Sequence, residues 1–128
     1  MAKRDIVPLP GRQELYERNR YSPAVRANGL LFVSGQVGVG ADGQAADGIE
    51  AQTRTAVENL KRVLSAAGMT LDDVAKYTFF LTDPADAQGF AEGAVEMLQN
   101  PPAAVTMIFV SALAAPNLKV EIECVAAK

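Results

Sequence analysis

Apolar and polar positions recur with a period that changes along the chain, and each change marks an element. "YSPAVRANGLLFVSGQV" (21–37) reads as two strands around Asn28-Gly29, because both residues of a tight hairpin turn must tolerate positive φ. The second strand, Leu30 to about Val37, is nearly continuous in apolar residues, as for a strand covered on both faces. "DGIEAQTRTAVENLKRVLSAAG" switches to a helical period, with Ile49, Ala56, Val57, Leu60, Val63, Leu64 and Ala67 on one stripe. Asp47 and Glu50 have capping-box spacing, and Gly68 closes the helix. "AKYTFFL" returns to a period of two, placing Ala75, Tyr77, Phe79 and Leu81 together. "TDPADAQGFAEGAVEMLQN" predicts a second helix with Asp83 as N-cap and Pro84 at its first position. Gly89 and Gly93 weaken it by about 1 kcal/mol each relative to Ala.

Two strands follow, Val105 to Val110 and Leu118 to Val125. The last turns Leu118, Val120, Ile122 and Cys124 to one side and Lys119, Glu121 and Glu123 to the other. The order ββαβαββ predicts one α+β domain over 21–128, a mixed sheet with both helices on one face. Residues 1–20 read as a solvated N-terminal arm, since Asp5, Glu14 and Glu17 interrupt its basic residues. The other sheet face carries Thr78, Phe80, Thr106, Ile108 and Val110. That face is too apolar for open solvent and too polar for a core, so it predicts a homo-oligomer.

Composition narrows the chemistry. A chain of 128 residues is one domain. Its twelve basic and fifteen acidic residues leave a net charge of −3 with no basic stripe, which argues against nucleic acid as a partner. No stretch approaches the ~18 apolar residues of a membrane span, and the first residues show no apolar core of a signal peptide. The single cysteine, Cys124, fits a reducing compartment and a cytoplasmic protein. Without histidine, the usual His/Cys zinc sites, Ser-His-Asp triads and Cys-His pairs are excluded. Acid–base work falls to carboxylates, Tyr, Lys, Cys124, backbone groups or water.

"GQVGVGADGQ" (35–44) places four glycines in ten positions after an apolar strand. A dinucleotide fingerprint turns straight from strand into helix with the spacing G-x-G-x-x-G. Here Gly35, Gly38 and Gly40 run in the reverse order, and about ten loop residues precede the helix. The glycines therefore read as turns and a bare strand edge that a ligand can approach.

Four blocks, "YSPAVRANGLLFVSGQV", "QTRTAVENLKRVLSAAGMTLDDVAKYTFFLTD", "NPPAAVTM" and "KVEIECVA", resemble in order and spacing those of the Rid family, also called YjgF or endoribonuclease L-PSP. The resemblance runs from about Tyr21 to Ala126. It implies the fold of chorismate mutase from bacilli, a homotrimer whose sheets form a central barrel, and a small-ligand cleft at each subunit interface. It also implies hydrolysis of reactive enamines and imines, such as 2-aminoacrylate derivatives, to keto acids and ammonia, with no metal or organic cofactor. By position, the cleft residues it implies are Tyr21, Ser34, Gly35 and Glu121. The pattern breaks at Ala104, where the family carries an arginine that forks onto the substrate carboxylate, and at Ala91, where it has an asparagine. Losing such a fork costs about 2–5 kcal/mol, which argues against ordinary 2-imino-acid deaminase activity.

Each candidate has a plainer reading beside the functional one. Glu121 is either a general base that orients water for attack on a C=N carbon, or a carboxylate paired with Lys119 or a basic residue of another copy. Tyr21 either packs its ring on the first strand or offers its hydroxyl to a ligand. Ser34 and Gly35 line a pocket, Thr106 offers a hydroxyl just beyond Ala104, and Arg26 is a substitute source of positive charge. Glu123 reads as structural, Cys124 as a small core residue, and Phe79, Phe80 and Phe90 as core or interface. Three functions stay open: a Rid-like enamine or imine hydrolase, a non-catalytic metabolite-binding trimer, and, remotely, a ribonuclease or translation inhibitor.

Overall fold

The computed structural model describes residues 3–98 and 101–128. Its elements in chain order are β1 (Asp5–Val7), α1 (Gln13–Asn19), β2 (Ala24–Ala27), β3 (Leu30–Val37), α2 (Ile49–Ala66), β4 (Val74–Leu81), α3 (Ala87–Gly93), β5 (Ala104–Phe109) and β6 (Val120–Ala127). The six strands form one sheet in the order β1-β2-β3-β6-β4-β5. The β6 strand lies antiparallel to both β3 and β4. Those two neighbours therefore run parallel to each other, and parallel strands need a crossover, which α2 supplies. A second crossover through α3 makes β4 and β5 parallel. The hairpin at Asn28-Gly29 has the positive φ expected at both turn residues, 51° and 78°.

The core lies between the sheet and α2. Leu60, Val63 and Leu64 of the helix stripe meet Leu31, Phe79, Leu81, Val120 and Ile122 of the sheet, with Phe90 of α3 closing one end. Each fully buried Leu, Ile or Phe contributes roughly 1.5–3 kcal/mol. The α2 helix ends in a Schellman motif, with Gly68 N–H on Ser65 O and Met69 N–H on Leu64 O. Gly68 takes φ +74°, a conformation that β-carbon-bearing residues resist. The buried Gln52 holds the other end: its Nε2 donates to Ala46 O and Asn117 O, and its Oε1 accepts from Lys119 N–H.

Several local expectations are corrected. Asp47 does not cap α2; Gly48 is the N-cap at φ 87°, with no side-chain hydrogen bond at that end. A register shift between Val74 and Lys76 turns Ala75 outward, so Val74 replaces it beside Tyr77, Phe79 and Leu81 on the core face. The second helix opens as a 3-10 turn over Pro84–Asp86, where Asp83 Oδ1 accepts from Ala85 N–H, and α3 stops at Gly93. Single bonds from Ala94 N–H to Phe90 O and from Leu98 N–H to Ala94 O carry the chain on in turns. The last two residues of the expected helix, Gln99 and Asn100, lie outside the described residues, as do Met1 and Ala2 of the expected arm. Part of that arm is built into the fold: β1 pairs with β2 from Asp5↔Arg26 to Val7↔Ala24 and Val7 is buried, while α1 buries no residue. A three-residue strand is too short to show a period, so charge is the dominant pattern of this segment.

The glycines of α3 have a packing role. A β-carbon on Gly93 would lie 2.6 Å from Glu50 O and 2.8 Å from Thr53 Cβ, and one on Gly89 would lie 2.5 Å from Ile49 Cγ2. The backbone oxygen at Glu50 has little room to yield. Gly93→Ala is therefore expected to lower stability by about 1–3 kcal/mol, against the gain of about 1 kcal/mol from helix propensity. Urea denaturation at fixed protein concentration measures the shift; a raised midpoint would contradict the close packing.

Candidate functional site

A bulge in β3 builds the site. Pairing with β6 runs Val33↔Cys124 and then Gln36↔Ile122, so β3 carries one extra residue across Ser34 and Gly35. Val33 and Gln36 both point into the core as a result, which leaves Ser34 and Gly35 for the other face. Pairing with β2 ends at Ala24↔Val33, so β3 has no strand partner on that side from Gly35 onward. Ser34 fastens the preceding segment to this edge: its N–H donates to Pro23 O at 3.0 Å and its Oγ to Ser22 O at 2.6 Å. Tyr21 is thereby held beside the bulge, its ring edge-on to Tyr16 with centroids 4.8 Å apart.

Glu121 lies on β6 opposite Val37, and its carboxylate occupies the space that a side chain at Gly35 would take. A β-carbon there would lie 2.5 Å from Glu121 Oε2. Half-burial pushes the Glu121 carboxyl above its ordinary value of 4.5, and the charge of Glu123 adds to the rise. Burial also raises the Tyr21 phenol, with further contributions from Tyr16 and Glu121, while Arg12 opposes them. Tyr21 therefore stands as a neutral hydrogen-bond donor. Burial pushes the Cys124 thiol up to about 12, which leaves no thiolate for nucleophilic work.

Four of the six sequence candidates, Tyr21, Ser34, Gly35 and Glu121, thus meet in one place. Ala104 and Thr106 do not join them within one chain. They sit on β5 at the sheet's far edge, two strands from β6, or about 10 Å at the usual strand spacing. The Thr106 hydroxyl accepts from Lys76 Nζ at 2.5 Å. Arg26 supplies no charge here: it pairs with the core residue Leu31 on the helix side of the sheet, and its Nη2 donates to Ala67 O at 2.8 Å. That carbonyl belongs to the C-terminal end of α2, where a cation is favourable.

A cleft of ≈ 480 Å³ follows the free edge of β3, with Gly35 and Val37 on its floor and Tyr16, Tyr21, Asn59 and Arg62 on its walls. Asn59 closes the edge, its Nδ2 donating to Val37 O and Val39 O at 2.9 Å each. Its Oδ1 accepts from Arg62 Nη1 at 2.9 Å. Sequence reasoning missed Asn59, Arg62 and Arg12, which also lines the cleft. The one available signal was an asparagine in mid-helix, a residue that favours caps and turns unless its amide serves another backbone. A larger cleft of ≈ 550 Å³ lies between β1 and α1; it reaches Tyr21 but not Gly35, and Glu121 lines neither cleft.

The family model described as endoribonuclease L-PSP matches residues 11–128. The RutC family protein YjgH of Escherichia coli (strain K12) is 48% identical over 84 residues, 66% of this chain and 64% of that relative. Reactive Intermediate Deaminase A, chloroplastic, of Arabidopsis thaliana is 35% identical over 108 residues, 83% of this chain and 57% of that relative. The chain thus spans less than two thirds of either relative's length in these matches. A solved structure of protein YJGH superposes with a TM-score of 0.87 at 38% identity, covering 97% of this chain and 95% of that one. The α+β, chorismate-mutase-like class expected from the sequence is the one found. Among the described residues, no helix is long and apolar enough to cross a membrane.

The raised Glu121 carboxyl has a consequence for stability. Below about pH 4.5 both folded and unfolded chains hold this proton. As pH rises, the folded chain keeps it longer, so the folded state loses ground until its raised value is passed. Glu121→Gln removes that loss. The variant and the parent are expected to match in urea stability near pH 4, with the variant the more stable near pH 7. A gap of the same size at both pH values would show that the carboxylate is not desolvated.

Proposed function

The chain belongs to the endoribonuclease L-PSP family, that of the RutC, RidA and YjgF proteins, and on that premise we propose that it is an enamine or imine hydrolase working at clefts between copies of itself. The observation that carries the reading is the half-buried Glu121 carboxylate seated over Gly35 beside the neutral phenol of Tyr21. The printed name of one relative, a reactive intermediate deaminase, supports the same chemistry.

In this reading a water hydrogen-bonded to Glu121 attacks the C=N carbon. Glu121 takes a proton from the water as the new C–O bond forms, and the C=N π pair moves onto nitrogen, which receives that proton. Glu121 then takes the hydroxyl proton of the carbinolamine and delivers it to the amine. The C–N bond breaks, ammonia leaves, a carbonyl remains and the carboxylate is restored, with one water consumed. Tyr21 and the backbone of Gly35 orient the substrate. No step calls for a metal or organic cofactor.

The homotrimer completes the site. Phe32, Leu30 and Ile108 lie exposed on the sheet face opposite α2, and β5 has a free edge. Closing that face against other copies brings Ala104 and Thr106 of a neighbouring copy toward Glu121. The single buried Cys124 supports a reducing, cytoplasmic setting, and the acidic balance supports a small-molecule ligand over nucleic acid. A non-catalytic metabolite-binding trimer is the second reading, and Ala104 favours it.

Purified protein is expected to release ammonia only slowly from 2-aminoacrylate or 2-iminobutanoate generated in the assay. Glu121→Gln should lower that rate at least ~100-fold. Ala104→Arg, which restores the fork, should raise it by about 30-fold or more. Full activity in Glu121→Gln removes the proposed base. Stabilisation by these compounds' keto-acid products without any turnover establishes the binding reading.

A further inference from the structure

We infer that Arg12 and Arg62 hold an anionic group of the ligand in the cleft along the edge of β3, and that the ligand is an organic acid with an apolar or aromatic body. The inference rests on the reading that the cleft beside Gly35 is the substrate site, and it names what that site takes.

The charge pattern comes first. The chain has more acidic than basic residues, yet this cleft is lined by two arginines and by no Asp or Glu. Arg12 is half-buried, and among the described residues its guanidinium makes no ion pair and no hydrogen bond. A partly buried guanidinium without a protein partner gains a charge-assisted pair when a carboxylate or similar oxyanion enters. Arg62 is held differently: Asn59 Oδ1 takes one of its N–H groups, which fixes the fork and leaves the others free.

The walls set the rest of the ligand. Leu9, Leu15 and the edge-on pair Tyr16 and Tyr21 line the cleft, an environment for an apolar or aromatic body. Glu121 does not line this cleft, but its carboxylate lies against Gly35 and disfavours an acid group at that glycine. Asn59 grips the carbonyls of Val37 and Val39, two and four residues beyond Gly35, or roughly 7–13 Å along the strand. Anchored through Asn59, Arg62 receives the acid several bonds from Gly35. That spacing suits an acid carried on an alkyl or aryl chain better than a 2-imino acid, whose charge adjoins the C=N bond. Positive charge lost at Ala104 is thereby supplied from another side of the site.

Calorimetric titration with 4-phenylbutanoate and with neutral 4-phenylbutanamide tests the assignment on the full-length protein. The parent should bind the acid at least ~10-fold more tightly than the amide. Arg12→Ala should abolish that preference while leaving the amide's affinity unchanged. Arg12→Lys should keep part of it, because a point charge replaces the fork. Arg62→Ala, at an exposed position, should narrow the preference with no change in thermal unfolding. Glu121→Gln should bind the acid as well as the parent or better. Equal affinity for acid and amide, no measurable binding of the acid, or a preference that survives in both arginine variants overturns the inference while leaving hydrolysis by Glu121 standing. Acid binding lost with Arg12 alongside full ammonia release by Glu121→Gln upholds the inference and overturns the hydrolase reading.

Discussion

Insertion of the last strand between β3 and β4 is the constraint on which the rest of the structure depends. Strict alternation along β6 sends Val120, Ile122, Cys124 and Ala126 into the core and leaves Glu121 and Glu123 on the other face. Being antiparallel to both neighbours, β6 forces β3 and β4 to be parallel, and so forces α2 to cross over and cover one face. The opposite face is left with carboxylates at its centre. A one-residue slip of β6 would bury both glutamates and expose four core side chains, so the core itself fixes the position of Glu121.

Around that strand, glycines mark close approaches between elements. Gly35 leaves room for the Glu121 carboxylate, Gly38 for the backbone and Cβ of Gln52, and Gly93 for the carbonyl of Glu50. At each of these positions a side chain would collide with a different element, so their common logic is proximity rather than turn formation. Gln52 shows what the proximity is for. By coming close to Gly38 it reaches Ala46, Asn117 and Lys119 together, and so joins the loop after β3 to the start of β6. The two strands that carry Gly35 and Glu121 are tied together at that end.

The chain presents an unfinished site. Its carboxylate and phenol lie at one edge of the bulge, its guanidinium groups line the cleft beside them, and the β5 residues expected to face the ligand are two strands away. Apolar side chains on the outer sheet face and along β5 have nothing above them in the single chain. Val105, Met107, Ile108 and Phe109 are all exposed along one strand, an unusual density for a surface meant for water. In the proposed trimer, association of copies would cover that exposed face and close the cleft together, tying assembly to function.

The sequence by itself determined the parts governed by local periodicity. The Asn28-Gly29 hairpin, the stripe of α2, the alternation of β6 and the bare strand edge at Gly35 were all legible, because each depends on residues a few positions apart. The Gly35–Glu121 pairing was reached only through the family resemblance, since 86 positions separate the two residues. Tertiary structure decided the remainder. It built the segment before Tyr21 into the sheet, ended α3 at Gly93, turned Ala75 outward through a register shift, and engaged Arg26 at the end of α2. It also brought Arg12, Asn59 and Arg62 to the cleft. Those placements come from long-range pairing and from which faces are left uncovered, and neither leaves a periodic trace in the chain.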